Sequence, residues 1–342
     1  MNDAEAVLEQ ARAWLAEGKR VVWATVIQTW RSSPRPAGSQ MVIAEDGRFA
    51  GSVSGGCVEG AVIQHAAEVL ATGRAQTRSF GVSQEQAWAV GLACGGKIEV
   101  SIAEAPRALV EALVAARARR EALAWLADLS TGEHWLLDGA SGERPAWAAS
   151  EALEQSVRFA RKKDESALIE RDERRLFLHV LPEPLRLLVV GAVHLAQELA
   201  ELAERCGFEL TVIDPRSAFA TADRFPRATL RHDWPDEALE ELRPDAQTAV
   251  VVLSHDAKLD EPALSAALKS EAFYIGALGS ARTQESRRRR LTEQGFAESE
   301  LARIHGPVGI DIGALSTAEI AVSIMAEIIR ARRGERRQGP AA

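Results

Sequence analysis

The feature that most constrains this chain is a regular alternation of apolar runs and amphipathic segments that begins at residue 185. The first run and its turn read LRLLVVGAVH over residues 185–194, and further Val, Leu and Ile runs follow at 210–213, 248–253 and 272–275. Strands that are apolar on both sides are typical of a parallel sheet with helices on both faces. The sequence therefore predicts an α/β fold whose C-terminal part is a parallel-sheet domain.

The turn after the first strand matches a dinucleotide-binding turn in part. The Rossmann fingerprint Gly-x-Gly-x-x-Gly brings the backbone close to a pyrophosphate and points a helix N-terminus at its charge. Gly191 fills the first position, Val193 stands in the second, and Ala196 can fill the third. Asp214 follows the next strand, 23 residues after Gly191, where a carboxylate can bind a ribose diol. These residues favour a Rossmann domain with a nucleotide-type site; a turn aspartate in a scaffold without a nucleotide is the alternative.

Other turns of this domain supply further candidate contacts. His255 ends a predicted strand, where a histidine can orient a ligand, shuttle a proton or bind a metal; an ordinary surface histidine is the alternative. His305 and Asp311 have a spacing that fits no standard metal-ligand pattern. Glycine-rich turns after strands can also contact a ligand, although tight turns explain them nearly as well. The candidates in these turns are Gly276, Gly279, Ser280, Asp311 and Gly313.

Two N-terminal cysteines stand beside glycine pairs. The run 55–57 (Gly-Gly-Cys) precedes a helical pattern, and the run 94–96 (Cys-Gly-Gly) precedes a predicted strand. A thiol and backbone amides in such turns can face one ligand, and a helix N-terminus would lower the pKa of the Cys57 thiol. On spacing alone, two small buried hydrophobic residues are the alternative. Cys206 falls on the apolar side of a helix and is predicted to be core.

The chain of 342 residues is long enough for two or three domains. We predict an N-terminal α+β domain over residues 1–105, a connecting α+β subdomain over 106–184 that ends at a Pro-Glu-Pro boundary, a Rossmann-like domain over 185–333, and a basic, disordered tail over 334–342. The connecting subdomain contains no residue pattern that is typical of a catalytic or ligand-binding site.

Composition excludes several classes of partner. A net charge of −8 gives no reason to expect nucleic acid or an anionic membrane as a ligand. The basic runs 287–290 and 330–337 are predicted to be solvated helix ends, with phosphate contacts as the alternative. No apolar stretch approaches the roughly 18–20 residues of a membrane span, and the acidic start lacks the pattern of a signal peptide. Three cysteines favour reduced thiols, so a cytoplasmic protein is expected.

Taken in order, several motifs resemble the XdhC/CoxI family, the accessory factors of xanthine dehydrogenase and related molybdenum hydroxylases. The resemblance covers both ends of the chain, about residues 5–105 and 185–332, and the combination is more specific than any single motif. The matching runs are GSVSGGCVEG at 51–60, CGG at 94–96, YIGALGS at 274–280 and GIDIGALSTAEIAVSIMAEI at 309–328.

The resemblance implies an accessory protein without catalytic residues of its own. Such a protein binds the molybdenum cofactor, shields it while a terminal sulfido ligand is installed, and delivers it to an apo-hydroxylase. The cofactor is molybdopterin or its cytosine dinucleotide form, and a cysteine desulfurase is an expected partner. Soft sulfur ligands suit molybdenum, so Cys57 and Cys94 are the candidate metal contacts. The predicted cofactor-binding residues are Gly55, Gly56, Cys57, Glu59, Cys94, Gly95, Gly96, Gly191, His194, Asp214, His255, Gly276, Gly279, Ser280, Asp311 and Gly313.

The first Rossmann turn departs from the family pattern. Members generally read Gly-Ala-Gly-His there, whereas this chain has Val193 before the retained His194. An NAD(P)- or FAD-dependent oxidoreductase is a competing hypothesis, against which stand Val193 and the lack of an obvious acid–base pair. A non-catalytic interaction scaffold is a third. A homodimer is expected from the apolar content of the two parts.

Overall fold

A computed structural model describes residues 3–30, 35–81, 96–137, 150–171 and 173–337. They separate into two compact units, one spanning Asp3–Glu183 and one beginning at Pro184. We refer to these as the N-terminal unit and the C-terminal unit. Within the described ranges, no helix is both long and apolar enough to span a bilayer.

The N-terminal unit begins with a five-stranded antiparallel sheet in the order β3-β2-β1-β5-β4. Its central strand β1 is buried on both faces, because Val21 and Trp23 pack against one helix while Val22 and Ala24 pack against another. The elements are α1 (Asp3–Ala16), β1 (Val21–Trp30), β2 (Gln40–Ala44), β3 (Phe49–Gly51), α2 (Glu59–Thr72), β4 (Gln76–Gly81) and β5 (Lys97–Glu104).

A second antiparallel sheet, in the order β7-β6-β9-β8, completes this unit. Leu109, Trp125 and Leu181 from this part share one apolar cluster with Val21 and Trp23 of β1, so the predicted connecting subdomain packs into the same unit. Its elements are α3 (Arg107–Ala118), β6 (Leu123–Asp128), β7 (His134–Leu136), α4 (Glu151–Lys163), β8 (Ala167–Arg171) and β9 (Arg174–Leu181).

The C-terminal unit confirms the predicted Rossmann-like α/β fold. Six parallel strands lie in the order β12-β11-β10-β13-β14-β15, with helices on both faces. Its elements are β10 (Leu185–Val190), α5 (His194–Arg205), β11 (Phe208–Ile213), β12 (Thr229–Arg231), α6 (Pro235–Leu242), β13 (Thr248–Val252), α7 (Ala257–Leu268), β14 (Tyr274–Ala277), α8 (Ala281–Glu293), α9 (Glu298–Leu301), β15 (Ile304–His305) and α10 (Thr317–Arg337). The last helix thus extends four residues into the segment predicted to be a disordered tail.

The prediction that Cys206 is a core residue is wrong. The buried side of α5 is formed by Leu195, Leu199 and Ala203. The helix ends at Arg205, and Cys206 follows as its C-cap with an exposed side chain. Gly207 then turns the chain away through a left-handed conformation (φ 81°). The helical pattern placed Cys206 on the apolar side only because it was extended past the end of the helix.

Two histidines pack inside the N-terminal unit: His179 is buried, and His134 is half-buried. Both ring nitrogens of His134 are inaccessible and have no hydrogen-bond partner in the described part of the chain, and they line a small cavity together with Trp23 and His179. His179 stacks on Trp125 with ring centroids 4.3 Å apart. Burial lowers the pKa of His134 from 6.5 to about 4 and, together with the nearby His134, holds the pKa of His179 well below its ordinary value.

We therefore expect the N-terminal unit to lose stability in mild acid. Above pH 6.5 His134 is neutral in the folded and the unfolded protein, so its pKa shift costs no stability there. As the pH falls from 6.5 towards 4, the unfolded chain takes up the proton first, and the free energy of unfolding should fall by about 3 kcal/mol because of His134. Urea unfolding followed by tryptophan fluorescence at pH 7.5, 6, 5 and 4 measures it. His134→Phe should lessen the loss, whereas His65→Gln, at a more exposed histidine paired with Glu68, should not. An equal loss in the two variants would contradict the assignment to His134.

Candidate functional site

The strand order of the C-terminal unit reverses between β10 and β13, and Rossmann-type sheets bind ligands outside the carboxyl ends of such strands. Gly191 follows β10 at this point and Ser254 follows β13. A side chain at Gly191 would place its Cβ 2.8 Å from both the backbone N and Cα of Ser254, and the φ of Gly191 is 101°. Close backbone approach and left-handed conformation both require glycine there.

The turn after Gly191 is held from two sides. Ala192 donates its backbone N–H to Asp214 Oδ2 (2.8 Å), and its carbonyl accepts from Arg224 Nη1 (2.8 Å). Val193 is extended and precedes α5 without a side-chain cap, so the first turn of the helix points its positive dipole end out of the sheet edge. His194 is the first residue of α5 and is largely exposed, with Nε2 3.8 Å from Glu198 Oε1.

Asp214 is fully buried, and both oxygens of its carboxylate accept hydrogen bonds from the protein. Oδ1 accepts from the backbone N–H and Nε of Arg216 (3.0 and 2.8 Å), and Oδ2 accepts from Arg216 Nη2 (2.7 Å) and from Ala192. Burial opposes ionisation, but the hydrogen bonds from Arg216 and Ala192 outweigh it and lower the pKa of Asp214. The carboxylate thus ties the end of β11 to the turn after β10.

A buried polar network, which sequence reasoning missed, lies behind the ends of β13 and β14. Ser254 donates its hydroxyl to Asp260, whose other oxygen accepts from Arg287 Nη2 (2.9 Å). Arg287 also donates to Gln284 Oε1 (2.7 Å) and to the carbonyl of Leu278 (3.3 Å). Ser254, Asp260, Gln284 and Arg287 are all buried.

The prediction of a solvated helix end over residues 287–290 is therefore wrong for Arg287, which is 3% exposed. The other arginines of the run make surface ion pairs with Glu298, Glu293 and Glu261. Arg287 and Gln284 lie three residues apart on the buried side of α8, but within a run of four arginines that spacing alone does not show which arginine is buried.

The predicted glycine and serine contacts after β14 differ in exposure. Gly276 is buried inside the strand, where a Cβ would lie 2.6 Å from Val308 Cγ2, so close packing accounts for this glycine. Gly279 has a φ of 136°, and the exposed Ser280 caps α8 by accepting a hydrogen bond from the backbone N–H of Thr283 (3.3 Å). Ser280 therefore lies at the sheet edge as predicted, whereas Gly276 is packed inside the protein.

His255, Asp311 and Gly313 are exposed residues of loops. His255 has a φ of 61° and follows Ser254, and the next residue, Asp256, caps α7 through the backbone N–H of Lys258 (3.0 Å). Asp311 Oδ1 accepts from the backbone N–H of Gly313 (3.2 Å). None of the described residues forms a cluster of three or more His, Cys, Asp or Glu side chains that could hold a metal ion.

The loop that carries Asp311 is anchored on α10. Glu327 is buried and accepts from the Tyr274 hydroxyl (2.7 Å) and from the backbone N–H of Gly309 (2.8 Å). Burial and the hydrogen bond to Glu327 raise the pKa of Tyr274. Ser323 donates to the carbonyl of Ile310 (2.9 Å). These bonds fix the start of the loop and leave Asp311 in solvent.

In the N-terminal unit, Glu59 organises the loop over residues 52–58. Its carboxylate accepts hydrogen bonds from the hydroxyls of Ser52 and Ser54 and from five backbone N–H groups at 2.9–3.2 Å. The amides belong to Val53, Ser54, Gly55, Gly56 and Val58. Burial opposes ionisation of Glu59, yet the bonds from Ser54 and Ser52 dominate and lower its pKa to about 2. The predicted site residue Glu59 thus binds its own loop.

The same loop presents Cys57. The exposed thiol stands two residues before α2, and the backbone N–H of Cys57 is held by Ser54 Oγ (3.0 Å). Gly55 and Gly56 are exposed, with φ of 85° and 120°. Cys94 and Gly95 lie outside the described residues, and Gly96 is half-buried just before β5. The loop therefore unites Gly55, Gly56, Cys57 and Glu59, whereas the sheet edge carries Gly191, His194, Asp214 and Ser280.

The parallel sheet, its strand order and the glycine turn at the switch point define a Rossmann-type α/β unit. Residues 187–328 match the family model described as the XdhC Rossmann domain, and residues 14–81 match that of the XdhC and CoxI family. The chain belongs to the XdhC and CoxI family, as the motifs predicted.

The relatives are similar along nearly the whole chain. It is 29% identical over 332 residues to the molybdenum cofactor insertion chaperone PaoD of Escherichia coli, covering 97% of this chain and 89% of that protein. It is 30% identical to a probable xanthine dehydrogenase subunit of Bacillus subtilis, covering 94% of this chain and 96% of that protein. A crystal structure of a xanthine dehydrogenase from Bacillus halodurans matches with a TM-score of 0.79 at 26% identity over 96% of each chain.

Proposed function

We propose that this protein is a chaperone that binds the molybdenum cofactor and inserts it into an apo-hydroxylase of the xanthine dehydrogenase type. The observation that carries the proposal is the similarity, along 97% of the chain, to a protein named as a molybdenum cofactor insertion chaperone. The proposal makes the cofactor a cargo, so no catalytic residue is assigned.

The geometry of the loop over residues 52–58 supports this role. Cys57 offers an exposed soft sulfur, the donor type that suits molybdenum. The loop is fixed by the ionised Glu59, so the thiol is held on a preorganised backbone rather than on a mobile turn. In the proposed arrangement Cys57 contacts the metal–sulfur end of the cofactor, and Cys94 is the second candidate.

The proposal extends to the partners. A molybdenum hydroxylase is the client, and a cysteine desulfurase supplies the terminal sulfur while the cofactor is shielded on the chaperone. The cytoplasmic location and the homodimer stay predictions of the sequence. The proposed cargo is either molybdopterin with its molybdenum or the cytosine dinucleotide form of that cofactor.

Cofactor content tests the proposal directly. Protein purified from a host that makes molybdopterin should carry it at a substantial fraction of one per chain, detected as the fluorescent oxidised pterin. The Cys57→Ser variant should carry at least tenfold less pterin and molybdenum together, because it loses the proposed sulfur contact to the metal end of the cofactor, whereas Cys206→Ser, at an exposed thiol just after α5, should match the wild type. Wild-type protein without pterin, from a host with proven cofactor synthesis, would refute the proposal.

A further inference from the structure

The carboxyl end of β11 carries an occupied carboxylate where a ribose-binding Rossmann site carries a free one. Asp214 is fully buried, and both its oxygens are bound by Arg216 and by the backbone N–H of Ala192. Asp214 could accept hydrogen bonds from a ribose diol only if Arg216 were displaced. Such a displacement would leave a buried carboxylate with fewer donors, which is costly.

Arg216 keeps one edge of its guanidinium free. Nε and Nη2 donate to Asp214, while Nη1 has no partner among the described residues, and the side chain is 39% exposed. The guanidinium carbon lies 4.3 Å from the ring centroid of Phe219, which is itself 41% exposed. Stacking on this ring fixes the plane of the guanidinium. A flat guanidinium with an open edge is suited to a phosphate group.

The guanidinium also lies beside the turn that precedes α5. Arg216 Nη2 and the backbone N–H of Ala192 donate to the same oxygen of Asp214, so the two groups are neighbours. The N-terminus of α5 has no side-chain cap, and its dipole favours an anion at the same edge. Asp256 is the second carboxylate near Arg216; together with Asp214 it raises the pKa of Arg216, which therefore stays charged.

We propose that Arg216 is a ligand-recognition residue of the C-terminal unit and that it binds a phosphomonoester rather than a ribose diol. If the bound phosphomonoester is the terminal phosphate of molybdopterin, this proposal rests on the proposed chaperone function. A nicotinamide dinucleotide with a 2′-phosphate offers the same chemistry, so the test separates these two sources.

Calorimetric titration of the full chain with molybdopterin, 2′,5′-ADP and adenosine tests the proposal. Arg216→Gln should weaken binding of a phosphate-bearing ligand by about 10–100-fold, because it removes a charge-assisted hydrogen bond. The Asp214→Asn/Arg216→Gln variant leaves no buried unpaired charge and should show the same loss even if the single variant folds poorly. Arg227→Gln, at an exposed arginine paired with Glu204, is the matched control and should bind as the wild type does.

The outcomes separate the two proposals. If wild type and both Arg216 variants bind molybdopterin equally, the phosphate role of Arg216 is overturned while the chaperone function stands. If the wild type binds 2′,5′-ADP in an Arg216-dependent manner and takes up no molybdopterin, the phosphate role holds and the chaperone function fails. If adenosine binds as tightly as 2′,5′-ADP and the Arg216 variants change no affinity, the phosphate role fails for both sources.

Discussion

Replacement of Arg287 by methionine is expected to lower the free energy of unfolding of the C-terminal unit by about 3–5 kcal/mol. The side chains of Arg287 and Asp260 are both 4% exposed, and Arg287 is the only cation that the described residues place on the Asp260 carboxylate. Burial already raises the pKa of Asp260 with Arg287 beside it. Without Arg287, the carboxyl group must lose its charge or remain buried and unpaired.

Chemical denaturation of the variants measures this effect. The control Arg289→Met removes an arginine that is 77% exposed, 3.9 Å from Glu293, and should change the unfolding free energy by less than about 1 kcal/mol. The Asp260→Leu/Arg287→Met variant, which removes both charges, should recover most of the loss. If Arg287→Met and Arg289→Met are equally stable, the buried pair does not support the sheet edge.

Replacement of Glu59 by alanine is expected to have the second large effect. It leaves the backbone N–H groups of Val53, Ser54 and Gly56 and two hydroxyls without their acceptor, while the amides of Gly55 and Val58 keep Ser52 Oγ and Ser54 Oγ. We therefore expect a loss of about 2–4 kcal/mol in unfolding free energy and at least a tenfold loss of bound molybdopterin. Glu68→Ala, at a more exposed carboxylate on the same helix, is the control. Retention of wild-type pterin content by Glu59→Ala would contradict a role for this loop in cargo binding.

The stabilisation that Glu59 gives to the folded protein should be lost in acid. Because the pKa of Glu59 is about 2 in the folded protein against 4.5 ordinarily, its stabilising effect is complete above pH 4.5 and is lost as the pH falls through 2. Protonation of His134 acts at higher pH, between 6.5 and 4. Glu59→Gln should therefore reduce only the loss of stability below pH 4.5.

The parallel sheet was predictable because its strands are apolar on both sides and alternate with helices. Gly191 was predictable as a special position for the same reason, since it follows the first strand directly. The role of Asp214 was open, because spacing places a carboxylate at the strand end without showing that Arg216, two residues on, occupies it.

The buried network could not be read from the sequence. Arg287 stands in a run of four arginines, and only the packing of α8 against α7 shows that this one is buried opposite Asp260. Likewise, Glu59 was predicted as a ligand contact, and only the folded loop brings its carboxylate under its own amides. Both cases depend on tertiary contacts that local patterns do not contain.

Transfer of the cargo is the most direct test of the central claim. Wild-type protein loaded with sulfurated molybdenum cofactor should restore activity to a purified cofactor-free hydroxylase of the xanthine dehydrogenase type, in proportion to the pterin it carries, and Glu59→Ala prepared in the same way should restore at least tenfold less. Equal reconstitution by loaded wild type, by protein that carries no pterin and by buffer with free cofactor would contradict the account.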